Sequence, residues 1–412
     1  VDDPRVLAGQ QRLRVLFCNW RDTRNPEGGG SEVYVENVAT ALADAGHDVV
    51  ILCASHGAAP DDEVRGGVRF VRRGSKLGVY PAALAAQARR ALGRFDVVVD
   101  VQNGIPFAST LVPGTPVVVL VHHVHREQWP VVYGPLRSRI GWFLESRVAP
   151  RLYRSSRYVA VSHVTRDELI GLGVDADRVA VVHNGCVPAT ATRMPHDDPT
   201  VLVVGRLVPH KRVEHVLRAA ARLRLAHPRL RVRVVGDGWW AAELAAEASR
   251  LGVDDIVEFT GFVDEETKQR EMAEAWVLAL PSLKEGWGLV VMEAASLGVP
   301  TVAYRHAGGV AESVVDGTTG LLVDDEDAFV AALDGLLDDA AARERLGAAA
   351  RAWSVRFSWE AAAESFASVL LAAAGRPTEA ADEVHVLPGH LRHLEHPLGV
   401  EPGAGAPPAS RS

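Results

Sequence analysis

The stretch WVLALPSLKEGWGLVVME, Trp276 to Glu293, decides how this chain folds. Its apolar start, Trp276 to Leu280, reads as a buried strand. Gly286 and Gly288 then interrupt the chain, and an apolar, helix-prone run begins at Leu289. Strand, glycine loop and helix start, in that order, are how an open α/β sheet presents backbone N–H groups to a phosphate. Glu285 and Glu293 stand eight positions apart, one at each end of the loop. An acid on either side can hold hydroxyls that flank the phosphate, and a sugar nucleotide is laid out as sugar, diphosphate and ribose. The segment points to sugar-nucleotide chemistry.

Outward from this stretch, β-branched runs alternate with Ala/Leu/Arg-rich helical segments, the signature of parallel α/β layers. The first half carries expected strands at Leu13–Asn19, Asp48–Cys53, Val68–Arg72, Val97–Val101, Val117–Val121, Tyr158–Ser162 and Val179–His183. Pro188, Pro195 and Pro199 break the periodicity, and the pattern restarts. Val201–Gly205, Val232–Gly236, Ile256–Thr260, Val277–Leu280, Thr301–Tyr304 and Leu321–Val323 are the second set. The expected fold is α/β, with two Rossmann-like, doubly wound domains and a ligand cleft between them. The boundaries are 1–186 for the first domain, 187–199 for a linker and 200–357 for the second. A terminal helix follows over 358–375, and then a mobile tail over 376–412, rich in Pro, Gly, Ala and His. His385, His390, His393 and His396 lie in that tail, where solvation is a better reading than metal binding.

The bulk numbers narrow the function. A chain of 412 residues with 48% hydrophobic content can bury real cores. A net charge of −8 argues against a nucleic-acid binder. Cys18, Cys53 and Cys186 show no metal or redox spacing and fit a reducing compartment. No apolar run reaches the ~18–20 residues that span a bilayer, and Val1 to Arg5 lack the apolar core of a signal peptide. A cytoplasmic protein is expected. High Ala and Arg usage resembles a GC-rich bacterial coding background.

The other motifs stand at strand ends. Gly28, Gly29 and Gly30, between Glu27 and Ser31-Glu32, precede an amphipathic helix over Val33–Ala45; they can admit a phosphate or sugar, or form a plain turn with Ser31 as N-cap. His122, His123 and His125 follow the strand Val117–Val121, and His122, first after the strand, is the candidate to meet substrate. Gly205-Arg206 ends the next domain's first strand, with Lys211 five residues on; a guanidinium fork and an ammonium there suit a diphosphate. Gly236-Asp237-Gly238 reads as a tight turn near the crevice. Phe262 can pack a nucleobase, directly or through its backbone, or belong to the core. Asn184-Gly185 reads as a tight turn, and Gly308-Gly309 before Glu312 as a loop or a ligand contact.

Taken in order, Gly205-Arg206 with Lys211, Glu285-Gly286-Trp287-Gly288-Leu289 with Glu293, and Gly308-Gly309 resemble the family-4 retaining glycosyltransferases of GT-B fold. The Gly28–Glu32 turn and Asn184-Gly185 also fit, so the likeness spans roughly Leu13 to Ala374. The resemblance implies that Glu293 holds the ribose hydroxyls and Glu285 the transferred sugar. It implies that Arg206 and Lys211 neutralise the departing diphosphate, helped by amides at Gly286–Leu289 and Gly29–Gly30, and that His122 contacts the donor sugar. It further implies that the terminal helix returns to the first domain, and a front-face displacement in which the leaving phosphate helps deprotonate the acceptor. Neither a protein nucleophile nor a metal is expected, and no cofactor beyond the nucleoside-diphosphate sugar donor. Trp287 replaces the usual phenylalanine, and His210 and Arg212 flank Lys211 where an acid and a glycine are frequent.

The acceptor is a hydroxyl of unspecified class: glycan, lipid-linked or small molecule. Arg137, Arg139, Arg147, Arg151, Arg154 and Arg157 interleave with Ile140, Trp142, Phe143, Leu144 and Tyr153. Such a segment, 136–157, can lie on an anionic membrane; an ordinary surface helix with its apolar face in the core is the favoured reading. Two other functions compete with transfer. An epimerase or hydrolase on the same architecture would convert donor without acceptor, and a non-catalytic sugar-nucleotide-binding protein would not convert it at all.

Overall fold

In the computed structural model, residues 12–377 are described, and two sheets account for the alternation of the sequence. The first runs in the order Asp62–Arg65, Val68–Arg72, Asp48–Cys53, Arg14–Cys18, Val97–Gln102, Val117–Val121, Arg157–Ala160, Val179–Val181. The second runs Val257–Gly261, Arg231–Val235, Thr200–Val204, Val277–Leu280, Thr301–Tyr304, Gly320–Val323. Every expected strand is present, with ends within two residues of those read from the sequence. Among the described residues the strands of both sheets pair in parallel except Asp62–Arg65, an unanticipated edge strand that runs antiparallel to Val68–Arg72.

Both faces of each sheet are covered, so the central strands are apolar throughout. Val15 and Phe17 face one way, against the helices Gly30–Asp44 and Trp359–Ala373; Leu16 and Cys18 face the other, toward Phe107 and Tyr153. The terminal helix starts on Ser358, whose hydroxyl accepts from the Ala361 N–H at 3.1 Å. Its Phe366 is fully buried between Phe17 (5.9 Å between rings) and Tyr34 (6.4 Å). A chain segment from beyond the second sheet thus completes the core of the first. Arg376, expected in the tail, is tied to the first sheet through the Arg12 carbonyl (2.8 Å) and Asp96 (3.0 Å). The remainder of the tail, with its four histidines, lies outside the described residues. Cys18, Cys53 and Cys186 are free and buried. Among the described residues no helix is long and apolar enough to cross a membrane.

Candidate active site

Strand order reverses between Arg14–Cys18 and Val97–Gln102 in the first sheet, and between Thr200–Val204 and Val277–Leu280 in the second. Crevices for ligands open at such switch points, at the carboxyl ends of the strands. Three of the four loops that leave these strands carry the motifs singled out above: 19–30, 205–212 and 281–288.

The loop after Val277–Leu280 is shaped by its glycines. Gly288 adopts φ +88° as N-cap of the helix Leu289–Ser296, a conformation open to glycine at little cost. A side chain on Gly286 would run into the His122 carbonyl oxygen of the other domain, and one on Gly309 into the Gly286 carbonyl. The N–H groups of Gly286–Leu289 meet no acceptor among the described residues, which leaves them free for an anion. Glu285 is held by two backbone bonds, its N–H to Ala307 (2.9 Å) and its carbonyl to the Gly309 N–H (3.1 Å).

The charged groups cluster there. Lys211 Nζ lies 2.5 Å from Glu285 Oε1. Burial alone would raise the Glu285 pKa, but the Lys211 ammonium, with smaller help from Ser282 and His210, holds the carboxyl below its ordinary value. Arg206 reaches across the cleft, donating to the Glu27 carbonyl at 3.3 Å, and stands against Gly29. Glu293, one helical face along from the loop, pairs with Lys268 at 3.0 Å. It lines a cavity of about 260 Å³ with Val33, Asn37, Glu265, Gln269 and Trp359. Burial raises its pKa in spite of Lys268.

The first domain offers a different wall. Gly29 is the N-cap of Gly30–Asp44, which begins three residues before the expected Val33 and without Ser31 as its cap. The Gly29 N–H donates to Glu32 Oε2 at 2.7 Å, the one half of a capping box open to a glycine N-cap, and this removes it from the expected amide pair; Gly30 and Ser31 keep free N–H groups among the described residues. Gly30 abuts Leu289, so the two helix starts face each other. His122 is buried, its ring edge-on to Tyr34 at 5.2 Å, its Nε2 without a partner. Burial, reinforced by His125, lowers its pKa to about 3, so the ring is neutral.

Several expectations change. The Trp287 side chain is 2% exposed, wedged against His183 (4.5 Å) and Phe357 (5.1 Å), so any ligand contact falls to its backbone amide, the role the resemblance implies. Phe262 is 86% exposed, which removes the core reading. Asn184-Gly185 forms no tight turn; the backbone passes straight along the start of the terminal helix, where a Gly185 side chain would meet the Trp359 nitrogen at 2.5 Å. Gly205 (φ +148°) and Gly236 (φ +129°) lie side by side and admit Arg206 to the cleft. In 135–143 the apolar Leu136, Ile140 and Phe143 are 73%, 51% and 57% exposed, while Ser138 and Gly141 turn inward. The apolar residues of the segment thus divide: these three face outward, whereas Trp142 packs against the core and Tyr153 is buried, as the favoured reading has it.

Sequence reading missed what crosses between domains. Glu312 accepts from the N–H groups of His163 (2.9 Å) and Val164 (2.8 Å), capping a first-domain helix from the second domain, and lies 3.3 Å from His183. His163, His183 and Glu312 have the make-up of a cation site, but the carboxylate is already committed to that cap. Its place soon after Gly308-Gly309 was the available signal.

Comparison with known proteins agrees with this geometry. Residues 28–190 match the model of Glycosyltransferase Family 4, and 190–353 that of Glycosyl transferases group 1. The chain is similar to a GDP-mannose-dependent α-(1-6)-phosphatidylinositol monomannoside mannosyltransferase of Mycolicibacterium smegmatis, with 31% identity over 372 residues, 84% of this chain and 95% of the relative. Among solved structures it resembles sucrose-phosphate synthase from Thermosynechococcus elongatus (TM-score 0.74, 22% identity, 86% of this chain and 98% of the other). It also resembles HepE of Anabaena in complex with UDP-glucose (TM-score 0.69, 20% identity, 88% and 100%). These structures share the two-domain GT-B fold. With each half matched by its own family model and a relative of such identity covered almost end to end, the chain belongs to the family 4 (group 1) glycosyltransferases.

Proposed function

We propose that the chain moves a sugar from a nucleoside-diphosphate sugar held in this cleft to a hydroxyl acceptor, with retention of anomeric configuration. The row of unclaimed N–H groups at Gly286–Leu289, with Lys211 and Glu285 paired beside it and Arg206 opposite, is the observation that carries the reading. Arg206 and Lys211 neutralise the diphosphate as its bond to the sugar breaks, and a single preorganised donor of this kind is worth ~3–4 kcal/mol in the transition state. Glu285 takes hydroxyls of the sugar, Glu293 those of the ribose, and Phe262 is accessible to the base. Neutral His122 offers its free Nε2 near the reacting carbon. The acceptor oxygen bonds to that carbon on the face the phosphate leaves, and its proton passes to the departing phosphate oxygen. The charge that develops is met by protein cations and amides, so no metal is needed in this scheme.

Labour divides along the sheets: 1–186 on the acceptor side, 200–357 on the donor side, with 358–375 returning to the first. The relative's GDP-mannose and the UDP-glucose bound by HepE support the donor class and leave the base open. The exposed stripe Leu136, Ile140 and Phe143, flanked by exposed Arg137 and Arg139, suits a peripheral contact with an anionic bilayer. Sedimentation with phosphatidylserine vesicles tests it, and recovery of all the protein in the supernatant would contradict it. The reaction itself is tested by proton NMR of donor with and without acceptor. Retained configuration in a transferred product is expected; inversion would overturn the mechanism, and epimerised donor without acceptor would favour the competing enzyme.

A further inference from the structure

One buried acid of the first domain is not used by this scheme. Glu145 is 1% exposed and sits on a π turn, Leu144–Val148, which interrupts the helical segment 135–152. Such turns concentrate at functional sites. Its carboxylate is fully engaged: Oε1 accepts from the His125 backbone N–H (3.1 Å) and faces His125 Nδ1 (2.8 Å), and Oε2 accepts from Trp129 Nε1 (2.7 Å). Trp129 is in turn clamped between Gly104 and Gly141, where any side chain would collide with its ring. A carboxylate at Nδ1 selects the tautomer with the proton on that nitrogen, which leaves Nε2 as a fixed lone pair.

That lone pair belongs to a ring at the cleft. The short helix Trp129–Val132 packs against Pro209–Lys211 of the second domain. His210, whose Nδ1 is buried without a partner, has Lys211, Glu285, Arg206 and His125 as its electrostatic neighbours. The adjacent imidazole of His123 is accounted for by Gln128 at 3.0 Å. His125, 17% exposed, is thus the ring of this wall whose outer nitrogen is both oriented and accessible.

We propose that His125 Nε2 receives a hydrogen bond from the incoming acceptor beside the reacting O–H (a vicinal hydroxyl, or the second hydrogen of water), and that Glu145 is the positioning residue that fixes the tautomer and angle of the ring. The inference rests on the transfer reaction proposed above. No proton is taken by His125: the neighbouring hydrogen bond aims the reacting oxygen at the sugar carbon, and the reacting O–H stays free to pass its proton to the leaving phosphate.

The test uses the full chain, the nucleotide sugar that stabilises it most, and water and glycerol as hydroxyl probes. His125→Gln and Glu145→Gln are expected to slow transfer to both probes about tenfold at saturating donor, the loss of one hydrogen bond to substrate. Donor dissociation constants should stay within twofold, and the ring 15N spectrum should show the Nδ1–H tautomer of His125 in the wild type and lose it in Glu145→Gln. Unchanged transfer, an equal loss of donor affinity, or donor binding by the wild type without transfer to either probe would overturn this inference alone. Absence of any nucleotide-sugar binding would overturn the proposed function with it.

Discussion

The two walls of the cleft solve different problems. The second-domain wall carries charge in place before any ligand arrives: Lys211 against Glu285, Lys268 against Glu293, and Arg206 reaching outward. The first-domain wall balances its charges internally, Arg21 against Glu32 (3.6 Å) beside the helix start at Gly30, and adds buried imidazoles whose pKa values are pushed down, His122 to about 3 and His123 well below the ordinary range. Preorganised charge lowers the barrier where charge develops, on the leaving diphosphate. Neutral, rigid imidazoles suit the proposed acceptor side, whose task would be to admit and aim a hydroxyl. The difference teaches which wall does the electrostatics.

The largest effect expected is from removing that charge. Lys211→Ala should lower kcat by roughly 10²–10³, measured as product formed at saturating donor, whereas a first-wall change such as Ser31→Ala should fall within threefold. Comparable losses from the two would erase the distinction. Next is the seam between the walls. Gly286→Ala places a methyl against the His122 carbonyl and should cost about a hundredfold in kcat/KM, with secondary structure retained by circular dichroism.

Glu293→Gln should weaken donor binding by about tenfold, the scale of one hydrogen bond to a charged group. The two glutamates should differ in their pH signatures. The Glu285 carboxyl is held low, so its contribution to stability is present above its unfolded pKa and lost as pH falls through the folded one. The Glu293 carboxyl is raised, so its contribution is present at acid pH and lost as pH rises through the folded pKa. Melting temperatures at neutral pH should therefore fall in Glu285→Gln and hold or rise in Glu293→Gln; the reverse pattern would reject the assignment. His122 adds an acid limb from the other wall: it stays neutral when folded but takes up a proton when unfolded below pH ~6.5, so stability should drop on acidification, less so in His122→Asn.

The smallest effect concerns the joint. Glu312→Ala removes a cap that spans the domains and should cost about 1–2 kcal/mol in a denaturation midpoint. It should leave donor affinity nearly unchanged.

Legibility in the sequence followed the same division. The placement of Arg206, Lys211, Glu285 and Glu293 beside the crevice was readable because charged residues and glycines directly follow or flank apolar β-branched runs, and strand ends are where open sheets expose residues. The antiparallel edge Asp62–Arg65 was not, since Asp62, Glu63 and Arg65 give it no apolar face to alternate. The burial of the Trp287 side chain was not readable either, because it depends on His183 and Phe357 elsewhere in the chain. Glu312 on His163, Glu145 on His125 and Lys268 on Glu293 are long-range pairings of single residues, which leave no periodicity to read.

Calorimetric titration of uridine, guanosine, thymidine and adenosine diphosphate sugars into the wild-type chain and into Lys211→Ala tests the central claim most directly. At least one nucleotide sugar should bind the wild type and raise its melting temperature, by ~2.7 kcal/mol of stabilisation at a hundredfold excess over Kd. Lys211→Ala should bind the same donor more weakly. No binding by any of them, or equal binding to both proteins, would contradict it.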